Sequence, residues 1–551
     1  MFKSCKKWLS MTLIICLLVT TLAGCKSNKE KPVDSGEKAN TETSEKKEEN
    51  KETDKKDPFA KYQPIEGKTY DIAWTSGQLA PTDENAEMTQ YWNEKWNVNL
   101  DIWNIDSGQW HEIINLRFAT GEIPDKVRII GFPTLKKYYD QDLLAEIPED
   151  LLQHMAPTLY KYHTTDVPGA LSYGKIDGKL YAIPHYSISA NYRRPVVWRG
   201  DWLENVGITK TPETLDEFEE AMYKFVKEDP DKNGKNDTYG LSTTGLNAVY
   251  GAYGFLPYNW KTRDGKLVYG GVQPEMKQAL EKLSKWYKDG VIDPEFITGE
   301  NKGGYSHISH SFVTGQVGYT SHGFYYHWRP QMGEDDKDVI GHNIQELLKT
   351  TPEVVDSLIF GLPPVGPEGK RGVPQETIVS GIFDGLGKHL EEEPDKLGKL
   401  LLIFEDLVAN FDNFITARQG MEGKHWEWQN NMPVRLDPYT DGKELSKIGA
   451  MPVMTLISPY DYESKLLPLR IKFANDNQFD VGGIREELLA PLESQGKYKT
   501  ELDKIQEETY VSIIIGDKPI DYFDTFVEEW YKSGGEQLEK EANEWYQSLS
   551  K

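Results

Sequence analysis

Apolar and polar positions fall into regular patterns from Tyr70 onward. Tyr70-Asp71-Ile72-Ala73-Trp74 and Val98-Asn99-Leu100-Asp101-Ile102-Trp103 read as strands, and the stretch Met88 to Trp96 between them has helical spacing. Strand, helix, strand is the unit that builds a parallel sheet, because parallel neighbours need a crossover. Trp110 to Thr120 sets Ile113, Ile114, Leu116 and Phe118 in a second helical pattern, and Gly121 is a fitting stop. Residues 127–132 supply another short apolar strand. At Thr211-Pro212 and Thr214-Leu215-Asp216-Glu217 a proline precedes a Thr-x-x-Glu capping box, and Leu215, Phe218, Met222 and Phe225 then share one helix face. Further helices are predicted over 275–288, 394–410 and 525–549, and strands over 179–184, 196–199 and 377–383. No internal repeat is visible. The class is α/β, and 551 residues are too many for one core, so two large lobes are expected.

Ahead of this body lies a different pattern. Lys3, Lys6 and Lys7 precede an uncharged stretch from Trp8 to Gly24, too short in its apolar centre for a membrane span and arranged as a secretory signal. It ends in Leu22-Ala23-Gly24-Cys25, which resembles the lipobox of bacterial lipoproteins. That resemblance implies a signal peptide over 1–24, cleavage before Cys25 and diacylation of its sulfur, with palmitate as the expected acyl group. The protein would then be lipid-anchored on the extracellular face of a bacterial cell membrane. Residues 26–57 hold nine Lys and ten acids among 32 positions, with Val33 the one large aliphatic, so no core can form there. Residues 25–60 are expected to be a lipidated Cys followed by a disordered tether.

Charge and cysteine content remove several function classes. Asp and Glu total 88 against 63 Lys and Arg, a net −25, whereas nucleic-acid binding needs a basic face. The three cysteines are Cys5, Cys16 and Cys25, so the body has no thiol for disulfides, zinc thiolates or nucleophilic catalysis. Neither a GxSxG elbow nor a GxxxxGK[ST] phosphate loop occurs, which disfavours a serine hydrolase and an ATPase.

The sharpest motif is Asp229-Pro230-Asp231-Lys232-Asn233-Gly234-Lys235-Asn236-Asp237. Oxygen side chains at loop positions 1, 3, 5 and 9, with Gly at 6, match the first three quarters of an EF-hand, and the Lys235 carbonyl would fill position 7. Position 12 departs from the pattern, with Gly240 in place of the bidentate Glu. A structural calcium ion, offsetting three clustered carboxylates, is the expected occupant.

Together with the lipobox and this loop, the segments LRFATGEIPD (Leu116–Asp125), GKLYAIP (Gly178–Pro184), VVWRGDWL (Val196–Leu203), GMEGKH (Gly420–His425) and IIGDKPID (Ile514–Asp521) resemble one family. It is the lipid-anchored extracellular solute-binding proteins of bacterial carbohydrate ABC transporters, in the calcium-loop branch with alginate-binding and LipO-type proteins. The resemblance implies a two-lobed, maltose-binding-protein-like fold of type II, with a hinge and a ligand cleft between lobes. The expected first lobe is 61–190 plus about 375–435. The expected second is about 191–374 plus 436–551, with the calcium loop at 229–240. The family's calcium ligands correspond to Asp229, Asp231, Asn233, Lys235 and Asp237, with Thr238 where a Glu often stands. It further implies a monomer that captures an oligosaccharide and delivers it to separate permease subunits, without catalysis.

Sugars present apolar C–H faces rimmed by hydroxyls, so their clefts need aromatic platforms with polar partners. Aromatic residues next to strand ends or in polar loops are the candidates: Trp74, His185 with Tyr186, Trp260, Tyr325, Trp328 with Arg329, and Trp426 with Trp428. The acidic balance favours a neutral glycan, although Arg193, Arg194 and Arg329 could serve a uronate. The alternative is an extracellular glycoside hydrolase or polysaccharide lyase, which needs two carboxylates flanking the scissile bond.

Overall fold

The computed structural model describes residues 57–548 apart from 106–108, 298–308, 335, 337–338 and 378. The expected signal peptide, Cys25 and the tether up to residue 56 lie outside the described residues. In chain order the elements that position the site are β1 (Tyr70–Trp74), α1 (Glu87–Trp96), β2 (Val98–Ile102), α2 (Trp110–Ala119), β3 (Lys126–Ile130), β4 (Ala182–Tyr186), β5 (Val196–Arg199), α3 (Leu215–Lys227) and α4 (Pro274–Lys288). They continue with β6 (Tyr319–Thr320), β7 (Leu358–Gly361), β8 (Val379–Leu386), α5 (Pro394–Val408), α6 (Phe411–Gln419), β9 (Trp426–Gln429), β10 (Met432–Arg435), α7 (Gln495–Ile515), α8 (Tyr522–Trp530) and α9 (Glu536–Ser548).

The first lobe is a five-stranded sheet in the order β2-β1-β3-β8-β4. β1 runs parallel to β2 and β3, while β8 is antiparallel to both β3 and β4, so β1 to β4 share one direction. Both faces are covered, as parallel strands require. Ile72, Trp74, Ile183 and Leu386 pack with Trp92 of α1 and Leu400, Leu401 and Phe404 of α5, while Val127 and Ile129 pack with Ile114 of α2 and Leu135. The second lobe has the antiparallel sheet β6-β5-β7. Its larger core joins Trp198 of β5, Phe218, Met222 and Phe225 of α3, Trp286 of α4 and Ile513 of α7. α3 begins as predicted, with Thr214 Oγ1 accepting from Glu217 N and the Glu217 side chain accepting from Thr214 N.

The chain passes between lobes after Tyr186, before Val379 and between Leu466, which packs with Phe414 and Trp426, and Ile471, which packs with Tyr192 and Val197. The first two crossings lie side by side through an antiparallel bridge of Arg193 and Gln375. Leu445, Val453, Met454 and Ile457 pack in the first-lobe core, so that lobe's last portion extends past the boundary expected near 435.

Two expected elements are divided. Lys179–Leu180 pairs with Lys175–Ile176, and the sheet strand is Ala182–Tyr186. The helix expected over 525–549 breaks at Tyr531–Gly535, where Gly534 takes φ 125° and a Cβ there would lie 2.4 Å from the Tyr498 ring. Close approach to Tyr498 thus diverts the chain between α8 and α9. Among the described residues no helix is long and apolar enough to cross a membrane.

Candidate functional site

Because β1 to β4 point the same way, their carboxyl ends form one edge, and ligands of open α/β sheets bind beyond such an edge. On β3, Lys126 and Arg128 share a face, directly opposite Leu386 and Asp384 of β8. Lys126 Nζ lies 2.6 Å from Asp384 Oδ1 and donates to the Thr75 carbonyl at 2.9 Å, while His185 Nε2 meets Asp384 Oδ2 at 2.5 Å. These three side chains are buried. Against the cost of burial, the His185 ring and the Lys126 ammonium hold Asp384 down at about 2, while burial pushes His185 itself below its ordinary value. After β1, Thr75 Oγ1 accepts from Arg128 N at 2.7 Å, and Gln78 Nε2 donates to Asn104 Oδ1 at 2.6 Å.

Two cavities lie where first-lobe and second-lobe residues meet. One, of about 450 Å³, is lined by Tyr162, Tyr186, Tyr460, Asp166, Asp461 and Arg485 among others. The Tyr186 hydroxyl is buried there without a hydrogen-bond partner. The other, of about 260 Å³, brings Phe132 and Tyr173 of the first lobe together with Tyr258, Trp260, Tyr269 and Trp530 of the second. Tyr269 and Trp530 stack at 4.8 Å and 10°. Glu486 lines this cavity, accepting from Trp260 N at 3.0 Å and Leu488 N at 2.9 Å, and burial pushes its carboxyl up to about 7. Adjacent residues 485 and 486 therefore serve the two cavities. A third cavity, of about 350 Å³, is bounded by Arg418, Gln419 and β10 on one side and by Leu466–Arg470 on the other.

Of the aromatic residues expected at the ligand, Tyr186 and Trp260 line these cavities, and His185 reaches the sheet edge in its pair with Asp384. The others are corrected by their packing. Trp74 is fully buried, with Nε1 donating to the Val453 carbonyl at 3.0 Å. Trp328 is equally buried, donating to the His322 carbonyl at 2.8 Å, and Arg329 is closed in an ion pair with Asp336. Tyr325 packs on Tyr192 at 4.8 Å in the second lobe. Trp426 is buried and donates to the Gly420 carbonyl at 2.9 Å, while Trp428, on the same face of the β9–β10 hairpin, packs edge-on against it at 5.4 Å and is 44% exposed. Neither lines the three cavities above. A small polar sequence neighbour does not report exposure when the aromatic itself ends a core strand. Tyr258, Tyr269, Tyr460 and Trp530 had no local signal, since they are gathered from separate elements.

In the loop from Asp229 the side-chain oxygens engage the loop's own backbone and the Asn233 amide. Asp229 Oδ1 accepts from Asn233 N at 3.1 Å and Oδ2 from Gly234 N at 3.0 Å; Asn233 Nδ2 donates to Asp231 Oδ2 at 2.7 Å and Asp237 Oδ1 at 3.1 Å. Burial, with Asp229 and Asp237 nearby, pushes the Asp231 carboxyl up. Among the described residues, no three His, Cys, Asp or Glu side chains form a metal-holding group. Thr238 is set aside as a ligand: its hydroxyl is buried and donates to the Phe225 carbonyl at 2.7 Å. Gly240 is a packing position, where a Cβ would lie 2.8 Å from both Met222 and Val291.

Residues 87–341 match the family model described as bacterial extracellular solute-binding protein. A polygalacturonan/rhamnogalacturonan-binding protein, YtcQ, of Bacillus subtilis is 27% identical over 81% of this chain and 85% of its own. Lipoprotein LipO of the same organism is 26% identical over 81% of this chain and 86% of its own. The alginate-binding protein AlgQ2, solved without calcium ion, superposes with a TM-score of 0.57 at 18% identity, covering 88% of this chain and 99% of that one. With the two-lobed α/β fold and its interlobe cavities, these matches make the chain similar to the bacterial extracellular solute-binding proteins.

Proposed function

We propose that this protein captures an oligosaccharide between its lobes and delivers it, chemically unaltered, to the permease subunits of an ABC importer. The cavity where Phe132 and Tyr173 face Tyr258, Trp260, Tyr269 and Trp530 carries this reading. Rings from both lobes can sandwich the apolar faces of successive sugar units, and the unpartnered Tyr186 hydroxyl can meet a sugar hydroxyl. YtcQ, named for binding polygalacturonan and rhamnogalacturonan, and AlgQ2, named for binding alginate, support a glycan as the ligand class.

Three finer features complete the proposal. Acylated Cys25 anchors the chain to the outer face of the membrane, in keeping with a relative named as a lipoprotein. The working unit is a monomer, closed around its ligand by bending at the crossings. Calcium sits in the loop: its donor set is all oxygen, with Asp229, Asp231, Asn233, Asp237 and the Lys235 carbonyl as the residues that would hold it. The ion would supply the charge that offsets three neighbouring carboxylates, and Thr238 and Gly240 take no part.

A melting-temperature screen of the purified protein with neutral and acidic oligosaccharides, with every hit assayed for cleavage products, tests the main claim. Stabilisation without product is expected. Product formation would replace the proposal with a glycoside hydrolase or lyase, and a complete absence of stabilising glycans would reject capture. For the metal, EDTA is expected to lower the melting temperature of the natural protein and to leave Asp231→Ala nearly unmoved; an equal response in both would refute the site.

A further inference from the structure

One guanidinium at the sheet edge lacks an internal counterpart. Arg128 is half-buried near the carboxyl end of β3, beside the turn that follows β1. Its terminal atoms lie on Gly77, where a Cβ would come within 3.1 Å of them. Among the described residues no hydrogen bond or ion pair engages that guanidinium. Arg485, which lines the first cavity, donates from Nη2 to the Ala190 carbonyl at 2.9 Å but keeps its buried Nε unpartnered, and three further arginines are engaged. Arg193 spends its donors on the carbonyls of Val481, Arg194 and Gly361, Arg194 meets Glu376 and His322, and Arg329 meets Asp336.

The charge around Arg128 is also unbalanced. Asp384 stands opposite it but is already shared by Lys126 at 2.6 Å and by His185. With burial disfavouring the charged form of His185, the two cations Lys126 and Arg128 and one carboxylate leave one positive charge at the sheet edge. Burying an uncompensated guanidinium is costly, and a ligand anion removes that cost. Next to Gly77, the Ser76 hydroxyl is 1% exposed and has no hydrogen-bond partner. A planar guanidinium with parallel N–H groups matches a carboxylate, and an adjacent hydroxyl can donate a further bond to it. Gly77 leaves room for this approach, because any side chain there would crowd the guanidinium.

We propose that the glycan taken by this cleft is acidic and that Arg128, with Ser76 beside it, receives a uronate carboxylate. This rests on the capture reading above and adds a ligand class and a reader residue to it. It also revises the expectation of a neutral glycan: overall net charge reports the solvated surface, whereas selectivity is set by the few charges at the edge.

The experiment is calorimetric titration of the full chain and of Arg128→Gln and Arg128→Lys with galacturonate, mannuronate and glucuronate trimers, each compared with its carboxyl-reduced neutral form. The natural protein is expected to bind at least one uronate trimer roughly 10- to 100-fold more tightly than the reduced form, the range of a charged hydrogen-bonded contact. Arg128→Gln should abolish that preference while keeping affinity for the reduced trimer. Arg128→Lys should retain part of it, and raising the salt concentration should weaken the acidic trimer alone. Equal affinity of the natural protein for acidic and reduced forms, or a preference that survives in Arg128→Gln, overturns the inference and leaves capture standing. Binding of no trimer in either form, together with no stabilisation by any other glycan, overturns both. Should Arg128→Gln fail to fold, the Lys variant and the salt series decide.

Discussion

At the scale of single residues, the informative groups are those whose polarity conflicts with their surroundings. Glu486 sits among aromatic rings and still accepts two backbone N–H bonds, from Trp260 and Leu488. Those bonds favour its ionised form, but burial outweighs them and its carboxyl rises to about 7 from an ordinary 4.5. The unfolded chain therefore releases this proton near 4.5 and the folded one near 7. Between those values the folded state binds more protons, so stability declines as pH rises through the interval. The loss is on the order of 3 kcal/mol over the whole interval. Glu486→Gln keeps an acceptor for both N–H groups and cannot ionise. Its stability in denaturant titrations, without glycan, is expected to run flatter than the natural protein's between pH 5 and 8. Parallel curves would show that Glu486 is ionised throughout.

At the scale of elements, local sequence was most legible where one segment contains the whole cause. The Thr214–Glu217 capping box, the Leu215-Phe218-Met222-Phe225 face and the β1-α1-β2 unit are each determined by short-range chemistry, and all three form as expected. The break between α8 and α9 was not legible, because its cause, the Tyr498 ring, lies far away in sequence. The cleft follows the same rule. Tyr186 was marked by its position at a strand end, but the second-lobe rings come from a hairpin near 260 and a helix near 530 that only tertiary packing unites. The loop at Asp229 illustrates both sides. Its alternating oxygens are readable, yet the missing twelfth-position Glu is explained only by α3, which presses Met222 onto Gly240. Gly240→Glu would restore the EF-hand pattern in sequence. It should nevertheless lower the melting temperature, with a cost of about 1–3 kcal/mol or more for overpacking. A calcium-dependent gain in stability for this variant would show that the loop can rearrange around a twelfth ligand.

At the scale of the molecule, two cores are joined by three crossings, and the arrangement of those crossings bears on how capture works. Arg193 ties the first crossing to carbonyls of Val481 and Gly361, and Gln375 Nε2 donates to the Ala190 carbonyl, so the crossings are held mainly to one another and to the second lobe. A ligand touching rings of both lobes favours the closed arrangement by the difference between its affinities for closed and open forms. It also stabilises the fold in proportion to occupancy, by about 2.7 kcal/mol at a free concentration one hundred times Kd. Small-angle scattering with saturating glycan is therefore expected to give a smaller radius of gyration than scattering without it, and the same glycan should raise the melting temperature. Trp260→Ala should reduce both effects, because it removes one ring of the two-lobed sandwich without touching the crossings. If a glycan raised the melting temperature while the radius stayed fixed, binding would be confined to one lobe, and the rings of the opposite lobe would have to be assigned to packing alone.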